Sequence, residues 1–392
     1  MKKIILPLFL ALATALAAAL PSRAAAPANM MGKVQRIGER PGSDMLSIFN
    51  ACPESPDGKW ICYTHYPALA KGKGESNNMP AQIIIRERAS GAERALADVR
   101  VPNHNAANAI WLDARTIAFH TNGTKLFAVM DVVSGKKLFD SMQGELPHKA
   151  VGDMLYFARD SANTPDKPDE WGIWELNWKT GALRLVVSQE KLGKALHALD
   201  PAIKTGRVTL LHVDPSPDGK RVACAYRYFI DGKKKPIAVL AYFNAADGSG
   251  IGVLKNRPMH PLWYDNDTFM GIYTQNNDHL ISRYNLAGER IEKMAGVTTH
   301  AGATSDRQWF AGETSYYGPA EDGYTRVCIY RRGEMKPAAI LAEWKNGDPT
   351  WVWSAHVSCS FSADGQRVYF LRVTPDDRTE VCVFDMGNLA GK

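Results

Sequence analysis

Ser216-Pro217-Asp218-Gly219-Lys220-Arg221-Val222-Ala223-Cys224 is the stretch on which the fold turns. Asp-Gly makes a tight turn, because glycine accepts a positive φ and the aspartate carboxylate takes up nearby backbone N–H groups. The apolar run after it reads as a buried strand. The same wording returns as Ser55-Pro56-Asp57-Gly58-Lys59-Trp60-Ile61-Cys62-Tyr63 and as Ser362-Ala363-Asp364-Gly365-Gln366-Arg367-Val368-Tyr369-Phe370. Looser copies lie between them: Trp111 to Phe119, Gly152 to Phe157 (the weakest), Trp263 to Phe269 and Ser305 to Phe310.

A second series of turns runs in step, at Gly91, Gly135, Gly181, Gly248, Gly288, Gly333 and Gly387, spaced by 44, 46, 67, 40, 45 and 54 residues. Seven such turns predict seven four-stranded units, an all-β chain folded as a seven-bladed β-propeller. The long interval holds Gln189 to Lys204, a helical or loop excursion between blades. The chain stops five residues after Gly387, which leaves the last blade one strand short. Gly32 to Ile37 has strand character and is expected to close the ring as that outer strand, since an open ring would expose a bare sheet edge. Two packed β-sandwiches are the rival architecture; seven in-phase repeats without a break in composition argue against them.

The N-terminus has another purpose. Lys2 and Lys3 precede an apolar run from Ile4 to Leu20, and Ala24, Ala25 and Ala26 offer a cleavage site. This is the layout of a secretory signal over residues 1–26, with a single domain over 27–392 and a periplasmic or secreted bacterial location, without stable membrane insertion after cleavage. The formal charge of +6 falls to about +3 without Lys2, Lys3 and Arg23, which gives no reason to expect nucleic acid and allows a mild preference for acidic ligands. Basic residues at Lys71, Lys73 and Lys233 to Lys235 adjoin glycines and read as solvated hairpin tips. Six cysteines with no Cys-x-x-Cys pair do not make a disulfide scaffold.

Aligned on the turn aspartates, His212 and His300 each stand six residues before Asp218 and Asp306. His260 stands three before Trp263, at the position of Ser358, and His356 is one same-face step from Ser358. His104 lies seven before Trp111. All five fall at the starts of innermost strands, which converge around a propeller axis. His65, His148, His197 and His279 lack this placement and read as surface or structural. Convergent imidazoles bind divalent ions such as zinc or manganese, or serve as bases near neutral pH. Arg227, between Tyr226 and Tyr228, can fix a carboxylate, with one tyrosine sharing its ligand's face. His120 can return towards His104 at the mouth; a hairpin-end surface histidine is the equal alternative.

These residues carry a resemblance. The Asp-Gly signature resembles that of TolB-type propellers over nearly the whole mature chain. More specific are His212 with the Ser216 to Arg221 turn and Tyr226-Arg227-Tyr228, Met259-His260-Pro261-Leu262-Trp263, Thr299-His300, Ala355-His356 and Asn103-His104-Asn105. Their order is similar to the propeller polysaccharide lyases of the oligogalacturonate lyase and ulvan lyase groups. The resemblance implies β-elimination at a uronic acid of an acidic polysaccharide or oligosaccharide, by a monomer with a possible divalent metal (zinc, manganese or calcium) and no organic cofactor. It implies His104 as base, with His120, Tyr226 or Tyr228 as acid, and Arg227 neutralising the carboxylate. Asn103, Asn105 and His212 would bind substrate, and His260, His300 and His356 would hold the metal. A non-catalytic propeller that binds a protein or glycan is the alternative. A hydrolase would need a pair of carboxylates, and Asp214 is the one acidic residue near an inner-strand start.

Overall fold

The repeated turns are built by their own side chains. Asp218 Oδ1 accepts from Ser216 Oγ at 2.8 Å and from the Lys220 N–H at 3.0 Å, and Ser216 Oγ accepts from the Arg221 N–H at 3.0 Å. Ser55 with Asp57 and Ser362 with Asp364 repeat these contacts, and Gly58, Gly219 and Gly365 take φ of 73°, 69° and 70°. In the looser copy, Thr304 and Asp306 make the same bonds and Arg307 holds the glycine's place at φ 58°.

The computed structural model describes residues 26–47, 51–67, 78–230, 232, 235–254, 258–273, 278, 280–296, 299–314, 323–345, 357–376 and 378–389. Residues 1–25, on which most of the expected signal falls, and Lys71, Lys73, Lys233, Lys234, His279 and His356 lie outside them.

Sheets follow one another along the chain, almost wholly antiparallel, each running outward from the strand before an Asp turn. The first holds Ser43–Met45, Trp60–Tyr66, Met79–Glu87 and Glu93–Val101; a single parallel pairing, Arg100 with Asn122, joins it to Ile110–Trp111, Thr116–Asn122, Leu126–Asp131 and Lys137–Gln143. Next come Met154–Arg159, Gly172–Asn177 and Leu183–Ser188, with Glu145 bridged to Ala158 on the inner side. Two four-stranded sheets follow: Val208–Pro215, Arg221–Tyr228, Ile237–Asn244, Gly252–Leu254, and then Met259–Trp263, Thr268–Ile272, Ile281–Asn285, Arg290–Ala295. The next contains Thr299–Ala303, Trp309–Glu313, Tyr324–Arg331 and Ala339–Lys345. To it Ala28–Asn29 adds a parallel strand that the sequence did not announce.

The last sheet orders Ser360–Phe361, Arg367–Val373, Thr379–Asp385 and then Gln35–Ile37. The N-terminal segment pairs antiparallel there, Gln35 opposite Val383 and Ile37 opposite Val381, while Met31–Lys33 is a 3-10 turn.

Neighbouring sheets are pinned by a repeated bond. The Trp111 indole N–H donates to Pro53 O at 2.8 Å, and that of Trp263 to Asp214 O at 2.9 Å; Pro53 and Asp214 each stand four residues before a turn aspartate. The long interval forms the α-helix Gln189–Leu199, capped by Ser188 Oγ on the Lys191 N–H. Its Leu192, Gly193 and Leu196 pack with Tyr226 and Tyr228, and a Cβ on Gly193 would stand 2.7 Å from Tyr226 Oη. All six cysteines are free thiols, and among the described residues no helix is long and apolar enough to cross a membrane.

Candidate active site at the inner-strand bulges

The aligned histidines share a backbone irregularity. Leu211 pairs with Ala225 but Asp214 with Ala223, so His212 and Val213 oppose one residue. Met259 to Ile272 and Leu262 to Met270 place the same bulge at His260, and Thr299 to Glu313 and Gly302 to Ala311 place it at His300. Two more follow from backbone bonds: Ala107 O accepts the His120 N–H and Val357 O accepts the Leu371 N–H, which sets bulges at Asn108 and Ser358. The first bulge residue is left-handed in all five, with φ of 45° at Asn108, 54° at His212, 50° at His260, 45° at His300 and 48° at Ser358. Glycine would take this conformation without strain; each non-glycine residue costs about 1 kcal/mol or more. The same strain thus recurs at five equivalent positions.

The bulges bring rings from separate sheets together. His260 and His300 stack with centroids 4.6 Å apart at 25°. His212 Nδ1 lies 3.1 Å from Nε2 of His148, which is buried. His148 therefore leaves the surface-or-structural class in which its position along the chain had put it. Burial, the charge of His260 and that of Lys149 hold His148 down to about 3. His104 is half-buried, and its charge acts on His300. His300 Nδ1 is 2.8 Å from Glu313 Oε1. Burial disfavours charge on both members, so the pair is neutral and shares one proton.

Other candidates are withdrawn by their surroundings. His120 is 1% exposed; its Nδ1–H donates to Leu126 O at 3.3 Å and its Nε2 accepts the Leu146 N–H at 3.3 Å. With both nitrogens engaged by backbone it is a structural residue rather than a proton donor at the mouth, and burial lowers it to about 4. Tyr226 donates to Lys204 O at 3.1 Å, and its ring lies 6.4 Å from that of Tyr228 in the same apolar cluster. Strand alternation puts both tyrosines on the face opposite Arg227, so neither shares a ligand with it. Asp214 takes the Trp263 N–H at 2.8 Å and Lys149 Nζ at 3.1 Å, an inter-sheet brace instead of half a hydrolytic pair. His65 is buried on Asp44 at 2.8 Å, and His197 is exposed with its Nδ1 on Ile203 O at 2.8 Å.

His120 makes stability depend on pH in a defined direction. Its folded-state pKa lies below the unfolded 6.5, so its contribution is complete above 6.5 and is lost as pH falls towards about 4. Between pH 6.5 and 5 this amounts to about 2 kcal/mol. Urea midpoints at pH 7 and pH 5 should show wild type losing about that much more than His120→Gln; equal losses would refute the assignment.

Arg227 is half-buried on the Arg221–Tyr228 strand, opposite Thr209. Among the described residues it has no hydrogen-bond or ion-pair partner, and it acts electrostatically on Glu145. Asn103 is buried beside half-buried His104, and Asn105 Oδ1 is buried without a hydrogen-bond partner among the described residues. Sequence reasoning missed Asn108, although it stands three before Trp111 as His260 stands three before Trp263. Its Nδ2 donates to Leu146 O at 3.2 Å and Pro147 O at 3.1 Å; among the described residues its Oδ1 is buried without a partner, as is Ser358 Oγ.

For a metal the fit is poor. Stacked imidazoles do not aim their lone pairs at one point, His300 Nδ1 is engaged by Glu313, and His356 lies outside the described residues. Among the described residues no three His, Cys, Asp or Glu side chains are grouped to hold an ion.

No protein-family model and no curated protein sequence matches the chain. Solved structures do. An oligogalacturonate lyase in complex with manganese superposes with a TM-score of 0.59 at 12% identity, over 91% of this chain and 94% of its own. An oligogalacturonate lyase from Vibrio parahaemolyticus gives 0.57 at 14% identity, over 90% and 93%. At these identities the likeness shows the fold: this is an all-β chain of the propeller type.

Proposed function

We propose that the chain is an exported, seven-bladed β-propeller closed by Gln35–Ile37, and that it is a lyase cleaving a uronic-acid-containing polysaccharide or oligosaccharide by β-elimination. Supporting the ring, one cavity of about 240 Å³ is lined by Cys52 and Glu54 of the first repeat, Trp111 of the second, His148 and Lys149 of the third and Phe361 of the last. Supporting the chemistry is Arg227, a half-buried guanidinium without an anion among the described residues, in the same sheet as His212 of the histidine cluster.

The C5 proton of a uronate is weakly acidic, and a cation on the adjacent carboxylate stabilises the enediolate that forms when it leaves. Arg227 supplies that cation. His104 takes the C5 proton; the electron pair then forms the C4=C5 bond as C4–O4 breaks, and the His104 imidazolium so formed returns the proton to the departing oxygen. Asn103, Asn105 and His212 line the subsite. No step is routed through a metal. The manganese is a property of the lyase named above, and elemental analysis of the purified protein tests His260, His300 and His356 as its counterpart here.

Incubation with polygalacturonate, ulvan and other uronic-acid polymers should raise the ultraviolet absorbance of the new C4=C5 bond. No rise across the panel, with glycan or protein binding retained, would replace the lyase by a non-catalytic TolB-type propeller.

A further inference from the structure

The Asp306 turn departs from its sister turns in one residue. Where Gly58, Gly219 and Gly365 take φ of 73°, 69° and 70°, Arg307 takes 58°. Glycine holds that conformation freely, whereas a residue with a Cβ is strained in it. The turn itself does not need the arginine. The Arg307 N–H donates to Thr304 O at 2.9 Å just as the Gly219 N–H donates to Ser216 O at 2.9 Å, so the backbone closes in the same way. What the arginine adds is a guanidinium beside the neighbouring sheet.

There it meets Tyr264, which follows the Met259–Trp263 strand. Arg307 Nη2 donates to Tyr264 O at 3.3 Å, and its Cζ lies 5.4 Å from the centre of the Tyr264 ring. Cζ of Arg283 lies 4.5 Å and Cζ of Arg332 5.8 Å from the same centre, so three guanidinium groups crowd one phenol. Two of them are balanced. Arg283 Nη2 binds Asp265 at 2.6 Å and its Nε the Thr268 hydroxyl at 2.9 Å. Arg332 Nε and Nη2 each reach Glu292 at 2.7 Å. Arg307 is half-buried, and among the described residues it makes no ion pair. Burial disfavours its charge. Among the described residues Nη1 of all three arginines also lacks a hydrogen bond. The cluster therefore holds three cations, two carboxylates and three open donors. Like charges this close repel, and an added anion relieves the repulsion.

We propose that Arg283, Arg307 and Arg332, gathered on Tyr264, bind a tetrahedral oxyanion: a sulfate or phosphate group, free or carried as an ester on a sugar. Three separate Nη1 donors suit an ion whose oxygens point in different directions; one guanidinium fork already satisfies a planar carboxylate. Tyr264 is the platform that holds the cations together through its π face. The site spans two sheets, since Tyr264 and Arg283 belong to one and Arg307 and Arg332 to the next. The Arg332 N–H donates to Gln308 O at 2.9 Å, which fixes Arg332 beside the Arg307 turn. The strain at Arg307 is then the cost of placing the third cation. The proposal is independent of the lyase reading.

The test is calorimetric titration of the whole mature chain with inorganic sulfate, inorganic phosphate, a galactose sulfate ester and acetate, at constant ionic strength in chloride. Sulfate and phosphate should bind, and acetate should bind at least about tenfold more weakly. Arg307→Gly, which restores the glycine of the sister turns, should weaken sulfate binding at least about tenfold. Its urea midpoint in chloride should equal or exceed that of wild type, because the turn is relieved of strain. Binding of the galactose ester as tight as that of sulfate makes the ligand a sulfated glycan; binding of the free ions alone makes it a free ion. Acetate binding as tight as sulfate overturns the choice of a tetrahedral anion. Sulfate affinity that is absent in wild type, or unchanged in Arg307→Gly, overturns the site. A lower urea midpoint for Arg307→Gly without any anion binding would make Arg307 a brace between the sheets.

Discussion

Arg227→Ala should lower kcat/KM on the uronate polymer that scores in the absorbance assay by about 10³-fold, with little change in the unfolding midpoint. The two halves of this expectation have separate causes. Removing one preorganised donor from an oxyanion site costs 10²- to 10³-fold in other enzymes, and a guanidinium adds a full charge and a two-pronged donor to that. The folded chain has little to lose, because among the described residues Arg227 holds no hydrogen bond or ion pair. Arg227→Lys keeps the charge but loses the fork, and should fall between the two. Steady-state kinetics beside urea denaturation read both halves. A variant that unfolds early, or one with unchanged kcat/KM, would return Arg227 to a structural role.

Arg367→Ala should destabilise the fold by about 3–5 kcal/mol. Glu54 is 4% exposed, and both of its oxygens are satisfied from the far end of the chain. Arg367 Nε and Nη2 each reach it at 2.8 Å, and the Tyr369 hydroxyl donates to Oε2. Glu54 is bridged to Ile61 in the first repeat, while Arg367 and Tyr369 lie 313 and 315 residues further on, in the last. Truncating the arginine leaves a buried carboxylate short of its cation, and desolvation of that charge is the larger part of the cost. The urea midpoint measures the loss. Glu54→Leu combined with Arg367→Met should recover much of it, because removing both charges removes the penalty. If the double variant were as unstable as the single one, packing rather than charge would be responsible.

The two expectations separate the parts of this molecule that local sequence controls from those it does not. Ser216, Asp218 and Gly219 close their own turn with their own side chains, and the same residue types do so at Ser55 and Ser362. Such contacts span two to five residues, so a repeat in the letters is a repeat in the structure. The helix at Gln189 and the matched positions of His212, His260 and His300 were legible for that reason; the pairing of Gln35–Ile37 with the last repeat, across the length of the chain, was legible instead from the strand that repeat lacks.

The bulges were not. A bulge adds one residue to a strand and resets its alternation, and these five leave no glycine behind to advertise the positive φ. Asn108 was therefore passed over in favour of His104, although the spacing to Trp111 pointed to it. Tyr226 and Tyr228 were given a chance at the ligand that strand alternation alone denies them. His120 looked like a mouth residue until Leu126 and Leu146 claimed both of its nitrogens.

By itself, then, the sequence determined the repeat, its turns and the strands they launch, because those follow from hydrogen bonds between near neighbours. Tertiary structure alone decided that His148 meets His212 and that His260 stacks on His300. Those contacts join repeats through residues 40 and 64 positions apart. They are set by how the sheets pack and where their inner strands bulge, and no spacing along the chain encodes that distance.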